Sequence, residues 1–390
     1  MTPAARVQSA IDLLDLIIIA ARENGAAADT IIANWAKANR FAGSKDRRAV
    51  RDHVYAAIRA FGMMPKNGRI AMVGLAKHDK GLADCFDGSG YGPAVIDPAE
   101  QRAALSPLAP WLAKLIDPAE QAALLERAPL DLRVNRLLAQ RHDVIAQFEG
   151  AEPIGFLPDG IRLATNIAIE SHPAWAMGQV EVQDAGSQLI AAACAVGPGM
   201  TVIDLCAGAG GKTLALAAYM GGEGRIIATD TNRERLQRLP QRAARAGAVN
   251  IETRLLNPGE ERDEFPDLMT QADVVLVDAP CSGSGTWRRN PEARWRLTPK
   301  RLDQVVATQA HVLSVGASLV KPGGVLVYAV CSLIAREGKS QIASFLNETR
   351  EWKAETISLG VGRVDGHGIC LSSAHDGTDG FFIARLTKSG

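Results

Sequence analysis

From about Gln179 to the C-terminus, short runs of Val, Ile and Leu recur at regular intervals, with helix-compatible stretches between most of them. The runs cover residues 201–206, 225–229, 251–256, 274–277, 325–330 and 381–386. A strand apolar on both faces must be buried on both faces, and strands joined through helices pair in parallel. The pattern predicts an α/β fold built on a doubly wound parallel sheet. Such sheets bind ligands beyond the carboxyl ends of their strands, so chemistry is expected in the residues that follow each run.

The remaining residues read differently. A chain of 390 residues has room for two or three domains. Residues 1–62 are Ala-rich, with apolar side chains at helical spacing, and predict helices over 3–24, 28–39 and 44–61. Ser44 followed by Asp46 suits a helix start. The third helix places Ala49, Val50, His53, Val54, Ala57 and Ile58 towards one side. Lys45, Arg47, Arg48 and Arg51 gather at its beginning. A solvated helix face accounts for that cluster. So does phosphate contact, and the helix dipole disfavours cations at this end unless something else selects them.

Residues 62–129 carry weaker signals: a loop over 87–93, then Pro107, Pro110, Pro118 and Pro129 punctuating short helices around Trp111 and Leu124. A β-like run at Leu132 and Val134, a helix from about Arg141 and a strand over 160–165 suggest a small α/β module. The expected domains are therefore 1–130 (helical, with a connector), 131–190 (small α/β module) and 191–390 (main sheet).

Bulk properties narrow the function. The net charge is zero, so a nucleic-acid partner would have to be held by local patches. The six cysteines are widely spaced, with no CxxC and no histidine pair at ligand spacing, which argues against a metal site and against a disulfide framework. The most hydrophobic early segment, 13–21, is too short to span a membrane and is broken by Asp15. A soluble cytoplasmic monomer is expected.

The first run leads into DLCAGAGGKT, residues 204–213, and then a helix. Glycines there let a ligand approach the backbone closely. The spacing fits neither the GxGxxG of dinucleotide sites nor the GxxxxGK[ST] of phosphate-binding loops. Asp230 ends the next run, about twenty residues on, where a carboxylate can accept hydrogen bonds from ribose hydroxyls. Capping of the helix that begins near Asn232 is the alternative use for Asp230. Loop, carboxylate and alternating pattern together suggest an adenosine-type cofactor.

The fourth run ends in DAPCSGSGTWRR, residues 278–289, and the fifth ends at Cys331. Both Cys281 and Cys331 therefore reach the same crevice as Asp204 and Asp230. A lone cysteine is usually a small buried hydrophobe, but two converging on one crevice suggest chemistry. Methylation of carbon 5 of a pyrimidine needs this set. A thiolate adding at carbon 6 makes carbon 5 nucleophilic, a carboxyl group at ring nitrogen 3 stabilises the adduct, and a second thiol can assist release. The residues alone leave open which cysteine attacks.

The segments DLCAGAGGKT, DTNRERLQRL, VDAPCSGSGTWRRNPEARW and GGVLVYAVCSL, in this order, resemble the RNA 5-methylcytosine methyltransferases, nearest to the bacterial ribosomal RNA branch of the Sun/Fmu type. The similarity runs from about Asp131 to the C-terminus, with QDAGSQL (183–189) as lead-in. The N-terminal helices resemble the NusB-like RNA-binding domain of that branch. The resemblance implies a class I, Rossmann-like methyltransferase fold, S-adenosyl-L-methionine as donor and a cytosine in ribosomal RNA as acceptor. It places the donor against Cys206, Ala207, Gly208, Ala209, Gly210, Gly211 and Lys212, together with Asp230, Asn257 and Asp278. It makes Cys331 the nucleophile, Cys281 the thiol of product release and Asp278 the group at the base. No metal is implied.

Three departures stand out. Gly208-Ala209-Gly210-Gly211 replaces the family's Ala-Pro-Gly-Gly, Asn257 replaces an Asp near the adenine, and Glu337-Gly338-Lys339 replaces Glu-Asn-Glu. A transfer RNA substrate, or a binding factor in which methylation has lapsed, are the alternative functions. Arg288, Arg289, Arg294, Arg296, Lys300 and Arg301 around Trp287 and Trp295 suit phosphate contact and base stacking, although tryptophans at such positions more often pack internally.

Overall fold

Four helices, α1 (Pro3–Arg22), α2 (Ala28–Ala38), α3 (Ser44–Ala60) and α4 (Gly68–Ala76), open the chain in the computed structural model, which describes residues 1–164 and 167–390. Thr2 Oγ1 accepts from the Ala5 N–H at 3.1 Å, and Pro3 occupies the first helical position, where a missing N–H costs nothing. Val7, Ala10, Leu14, Ile17, Ile18 and Ala21 recur every three or four residues and are buried. α1 and α4 cross so closely that a Cβ on Gly68 would lie 2.1 Å from the Ile11 carbonyl oxygen. α3 begins at Ser44, as its sequence predicts, with the Gly43 N–H donating to Asp46 Oδ2 at 3.3 Å. Val50, Val54, Ala57 and Ile58 are buried, and Ala49 and His53 partly so.

This helical unit comprises Met1–Glu126 and, far along the chain, Thr286–Pro299. The late segment corrects two expectations. It leaves the main-sheet domain that was drawn as 191–390, and two arginines of the expected RNA grip, Arg294 and Arg296, are engaged within the helical unit. Trp295 joins the core of α1–α4, and its Nε1 donates to the Phe61 carbonyl at 2.6 Å. Arg294 is buried and donates to the carbonyls of Ile58 and Arg59 at 2.6 and 2.9 Å. Arg296 donates to the carbonyls of Ala20, Gly25 and Ala26. These carbonyls lie at or beyond the last turns of α3 and α1, where helical N–H partners run out; the Ala20 carbonyl also accepts from the Gly25 N–H. Trp287 is fully buried and Arg288 is 6% exposed. Of the predicted cluster, Lys300 and Arg301 are exposed.

The second unit, Arg127–Gly285 with Lys300–Gly390, holds both the small α/β module and the main sheet, so the separate 131–190 domain is not a separate unit. The module is a four-stranded antiparallel sheet of β1 (Leu130–Val134), β2 (Ala151–Pro153), β3 (Gly160–Leu163) and β4 (Val180–Val182), in the order β2-β3-β1-β4. Its helix starts at Arg141, as predicted. The last residue of the strand predicted over 160–165, Thr165, lies outside the described residues.

The main sheet contains all six predicted strands: β5 (Thr201–Asp204), β6 (Arg225–Asp230), β7 (Ile251–Leu255), β8 (Ala272–Asp278), β9 (Val320–Val330) and β13 (Phe381–Lys388). Three short strands are added, β10 (Trp352–Glu355), β11 (Arg363–Asp365) and β12 (Gly368–Leu371). The order is β11-β12-β13-β9-β8-β5-β6-β7, with β10 also pairing β13. β5 to β9 are parallel, but β13 runs antiparallel to β9, and β10, β11 and β12 are antiparallel too. The fully parallel sheet expected from the pattern is therefore a mixed one. Apolar runs report burial, not direction, and the linkers before β12 and β13 are too short for helical crossovers.

The double winding is visible residue by residue. Val202, Ile226, Val274, Leu276, Val325 and Val327 pack into one core with the helices Ala185–Ala193 and Gly211–Tyr219. Their neighbours Ile203, Ile227, Val275, Val277, Leu326 and Tyr328 pack into the other, with the helices Pro299–Leu319 and Lys339–Glu348. Strand order reverses at β5, which lies between β6 and β8, and this is where a crevice opens at the carboxyl ends.

Candidate active site

β5 ends at Asp204, whose Oδ2 accepts from Thr213 Oγ1 at 2.7 Å while its buried Oδ1 has no partner. Burial pushes this carboxyl up to about 7. The chain then turns through the glycine loop into the helix Gly211–Tyr219. Gly208 and Gly210 have φ of 58° and 87°, values that favour glycine. The Gly208 N–H donates to Asp230 Oδ2 at 2.8 Å, and the Asn232 N–H donates to Asp230 Oδ1 at 2.6 Å. The cap of the helix after β6 is Asn232 itself, which accepts from the Arg235 N–H at 3.0 Å. Asp230 therefore ties the glycine loop to the end of β6 and is not that cap. Where the family has proline, Ala209 gives its carbonyl to Arg242 at 2.6 Å, and Arg242 is held at 2.7 Å by the buried Glu181 of β4.

Lys212, in the first turn of that helix, reaches across to Asp278 at the end of β8, with Nζ 2.5 Å from Oδ2. Burial works against the Lys212 ammonium, and Asp278 more than offsets it, so the charge is kept. The other oxygen of Asp278 carries no hydrogen bond among the described residues.

The two predicted cysteines meet. Cys281 Sγ lies 3.2 Å from Cys331 Sγ, one sulfur from the loop after β8 and one from the end of the adjacent β9. The hydrogen bond with Cys331, then burial, then the charges of Cys331 and Glu337 push the Cys281 thiol well up. Cys206 is also pushed up, by burial first and then by Asp278, Asp204 and Asp230, so it is suited to wall and not to nucleophile. The Glu337 carboxylate, four residues before Gln341 on the chain that leaves β9, thus bears on Cys281, a placement the sequence does not display.

Beneath the thiols lies a residue that sequence reasoning missed. Glu337 is fully buried. Its Oε1 accepts from the Ser282 N–H at 2.7 Å and from Gln309 Nε2 at 3.0 Å. Its Oε2 accepts from the hydroxyls of Ser282 and Ser332, both at 2.5 Å. The departures beside it have local causes. A Cβ on Gly338 would lie 2.7 Å from the Phe382 ring, so asparagine does not fit there, and Lys339 Nζ pairs with Asp365 at 2.7 Å. Retention of the first Glu, while its neighbours changed, was the available signal.

The crevice suits an adenosine-type group. An ideal Cβ on Gly211 meets nothing within 4 Å, so the backbone at the helix start is approachable. Asp230, although engaged by two N–H groups, retains acceptor capacity for ribose hydroxyls. Asn257 Nδ2 donates to Glu264 Oε1 at 2.7 Å, which turns the amide so that Oδ1 is left to accept. Residues Cys206 to Lys212, Asp230, Asn257 and Asp278 all follow the ends of β5 to β8.

Comparison with known proteins gives the relationship. Residues 191–387, half of the chain, match the family model described as 16S rRNA methyltransferase RsmB/F. The chain belongs to the RsmB/F family. A Synechocystis sp. relative named "Probable ribosomal RNA small subunit methyltransferase B" is 37% identical over 67% of this chain and 60% of its own length. An Enterobacter sp. ribosomal RNA small subunit methyltransferase B is 35% identical over 71% of this chain and 66% of its own. The chain thus spans less than two thirds of the length of these curated relatives. The solved chain PH0851 shares the fold, with a TM-score of 0.78 at 23% identity, over 100% of this chain and 99% of that one.

Proposed function

We propose that this RsmB/F family member transfers a methyl group from S-adenosyl-L-methionine to carbon 5 of a cytosine in RNA, with small-subunit ribosomal RNA as the substrate. The observation that carries this reading is the 3.2 Å approach of Cys281 Sγ to Cys331 Sγ beside the Lys212–Asp278 pair. The names of the matched relatives support the choice of RNA.

The glycine loop, Asp230, Asn257 and Asp278 would hold the donor, which supplies an electrophilic methyl group when bound. Cys331 adds as thiolate to carbon 6 of the cytosine. The open oxygen of Asp278 takes ring nitrogen 3 and shares a proton with it, while the Lys212 pair fixes the other oxygen. As the carbon 5 proton passes to water, the bond from carbon 6 to the Cys331 sulfur breaks, and Cys281, held as a thiol 3.2 Å away, donates a hydrogen bond to the departing thiolate. The base must be unstacked to enter the crevice, which favours unpaired RNA. The helical unit, NusB-like in our reading, contributes RNA contacts through α3, where Lys45 and Arg48 are exposed. The protein is taken to act as a cytoplasmic monomer.

The test is to incubate the protein with donor and unmodified small-subunit ribosomal RNA or transfer RNA, then map 5-methylcytosine by bisulfite sequencing. Cys331→Ser should abolish transfer, and Cys281→Ala should accumulate a protein–RNA adduct that survives denaturation. An adduct in Cys331→Ser and none in Cys281→Ala would reverse the two roles.

A further inference from the structure

Each cysteine of the pair is followed by a serine, and the two serines converge. Ser282 and Ser332 hydroxyls lie 3.3 Å apart, and Ser284 Oγ is 2.9 Å from Ser332 Oγ. The hydroxyls also serve backbone: Ser284 Oγ accepts from the Leu333 N–H, and Ser332 Oγ from the Ile334 N–H. One carboxylate closes this cluster from below. Glu337 takes the Ser282 N–H, the Ser282 and Ser332 hydroxyls and the Gln309 amide, and its own carbonyl accepts from Tyr328 Oη at 2.7 Å. It is fully buried and touches neither sulfur through any described hydrogen bond.

We propose that Glu337 is a positioning residue for the thiol pair: it ties the loop of Cys281 to the loop of Cys331 through the serines that follow them, and so fixes the two sulfurs against each other. The argument is one of connectivity. The Cys281 loop follows β8 and the Cys331 loop follows β9; beyond the paired strands, the Gly285 N–H donates to the Cys331 carbonyl at 3.0 Å on the far side of the Cys281 loop, and Glu337 joins the residues directly after the two sulfurs. A carboxylate accepting four hydrogen bonds in a dry site is stiff, because removing any donor leaves an acceptor unserved. The carboxylate has a second effect on one thiol. The groups that bear on Cys281 are Cys331 at the end of β9, buried surroundings, Glu337 and the Gly283 N–H, with Tyr328 of β9 also in electrostatic contact. Glu337 works in the same sense as Cys331 and burial, keeping the proton on Cys281, and against the Gly283 N–H.

The proposal deepens the methyl-transfer reading, but its test needs neither donor nor RNA. Phenylarsine oxide, a trivalent arsenical, binds tightly only where two thiols are adjacent. Wild type should bind it in a way that Cys281→Ala or Cys331→Ser abolishes. Glu337→Gln preserves the connections, since the new amide donates to the serine oxygens and its carbonyl still accepts from Ser282 and Gln309. It should bind the arsenical as wild type does. Glu337→Ala, or Ser282→Ala with Ser332→Ala should Glu337→Ala not fold, should bind at least tenfold more weakly. In a Cys331→Ser background, Glu337→Gln should move the pH midpoint of Cys281 alkylation downward. Wild-type arsenical affinity in the folded alanine variants would overturn the positioning role, and an unmoved midpoint would overturn the effect on Cys281. Loss of methyl transfer with these readouts intact would instead fault the reaction assigned to the site.

Discussion

Lys212 Nζ and Asp278 Oδ2 lie 2.5 Å apart, joining the first turn of the helix after β5 to the end of β8. The pair crosses the point where strand order reverses, so it holds the two walls of the crevice together. Its side chains are 13% and 28% exposed. Lys212→Met should leave a largely desolvated carboxylate without its cation, at a cost of roughly 1–3 kcal/mol. Urea unfolding checks this. Unchanged stability would mean that the pair is held apart by solvent.

Asp204 should make stability depend on pH. Its folded-state value, about 7, lies above the ordinary 3.8. Between these values the unfolded chain releases a proton that the folded chain keeps, so the stability contribution present below about pH 4 is lost as pH rises towards 7. Asp204→Asn removes this dependence. The melting temperature of the variant should gain on that of wild type between pH 4 and 7, then hold a constant lead. Parallel curves across this range would count against a protonated Asp204.

Arg294 and Arg296 should matter for folding and not for RNA. Arg294→Leu strands the carbonyls of Ile58 and Arg59 and should cost roughly 1–3 kcal/mol. The salt dependence of RNA binding should be unchanged in Arg296→Gln, whose guanidinium is spent on three carbonyls. An exposed lysine that contacts phosphate would instead lower the slope by about one. Lys45→Ala provides that comparison.

At Asn257, restoring the family's aspartate should weaken donor binding. The new carboxylate would face Glu264, now 2.7 Å from the amide nitrogen. Repulsion of about 1 kcal/mol corresponds to roughly a fivefold loss of affinity. Asn257→Asp with Glu264→Gln should recover it, and calorimetry on the four members of this cycle measures the coupling. Additive effects would remove Glu264 from the account.

The sheet was legible because both of its faces are buried. Val274, Val275, Leu276 and Val277 are all apolar since alternate residues feed two cores, and such a run identifies a strand without its neighbours. Direction was not legible. β13 reads like β9, yet its partners were set by the short connections through β10, β11 and β12, which are poor in apolar runs. Within the site, the pairs that the structure brings together, Lys212 with Asp278 and Cys281 with Cys331, were legible because they follow strand ends. Glu337 was not, because a buried carboxylate and a solvated one look alike in sequence. Arg294 and Arg296 misled for the same reason: an arginine serving helix carbonyls has the composition of one serving phosphate.

Trp295 sits in the core of α1–α4, yet 169 residues separate it from Glu126, where the first stretch of that unit ends. A nascent chain emerging from its N-terminus presents the four helices long before it presents their last core residue. Domains usually fold in order of synthesis. Here the first to emerge has to wait, with part of its apolar interior unfilled and the carbonyls of Ile58, Arg59 and Phe61 unserved, until the strand carrying Asp278 has been made. Completion of the helical unit thus comes only after β5 to β8, the four strands whose ends line the crevice, have been made.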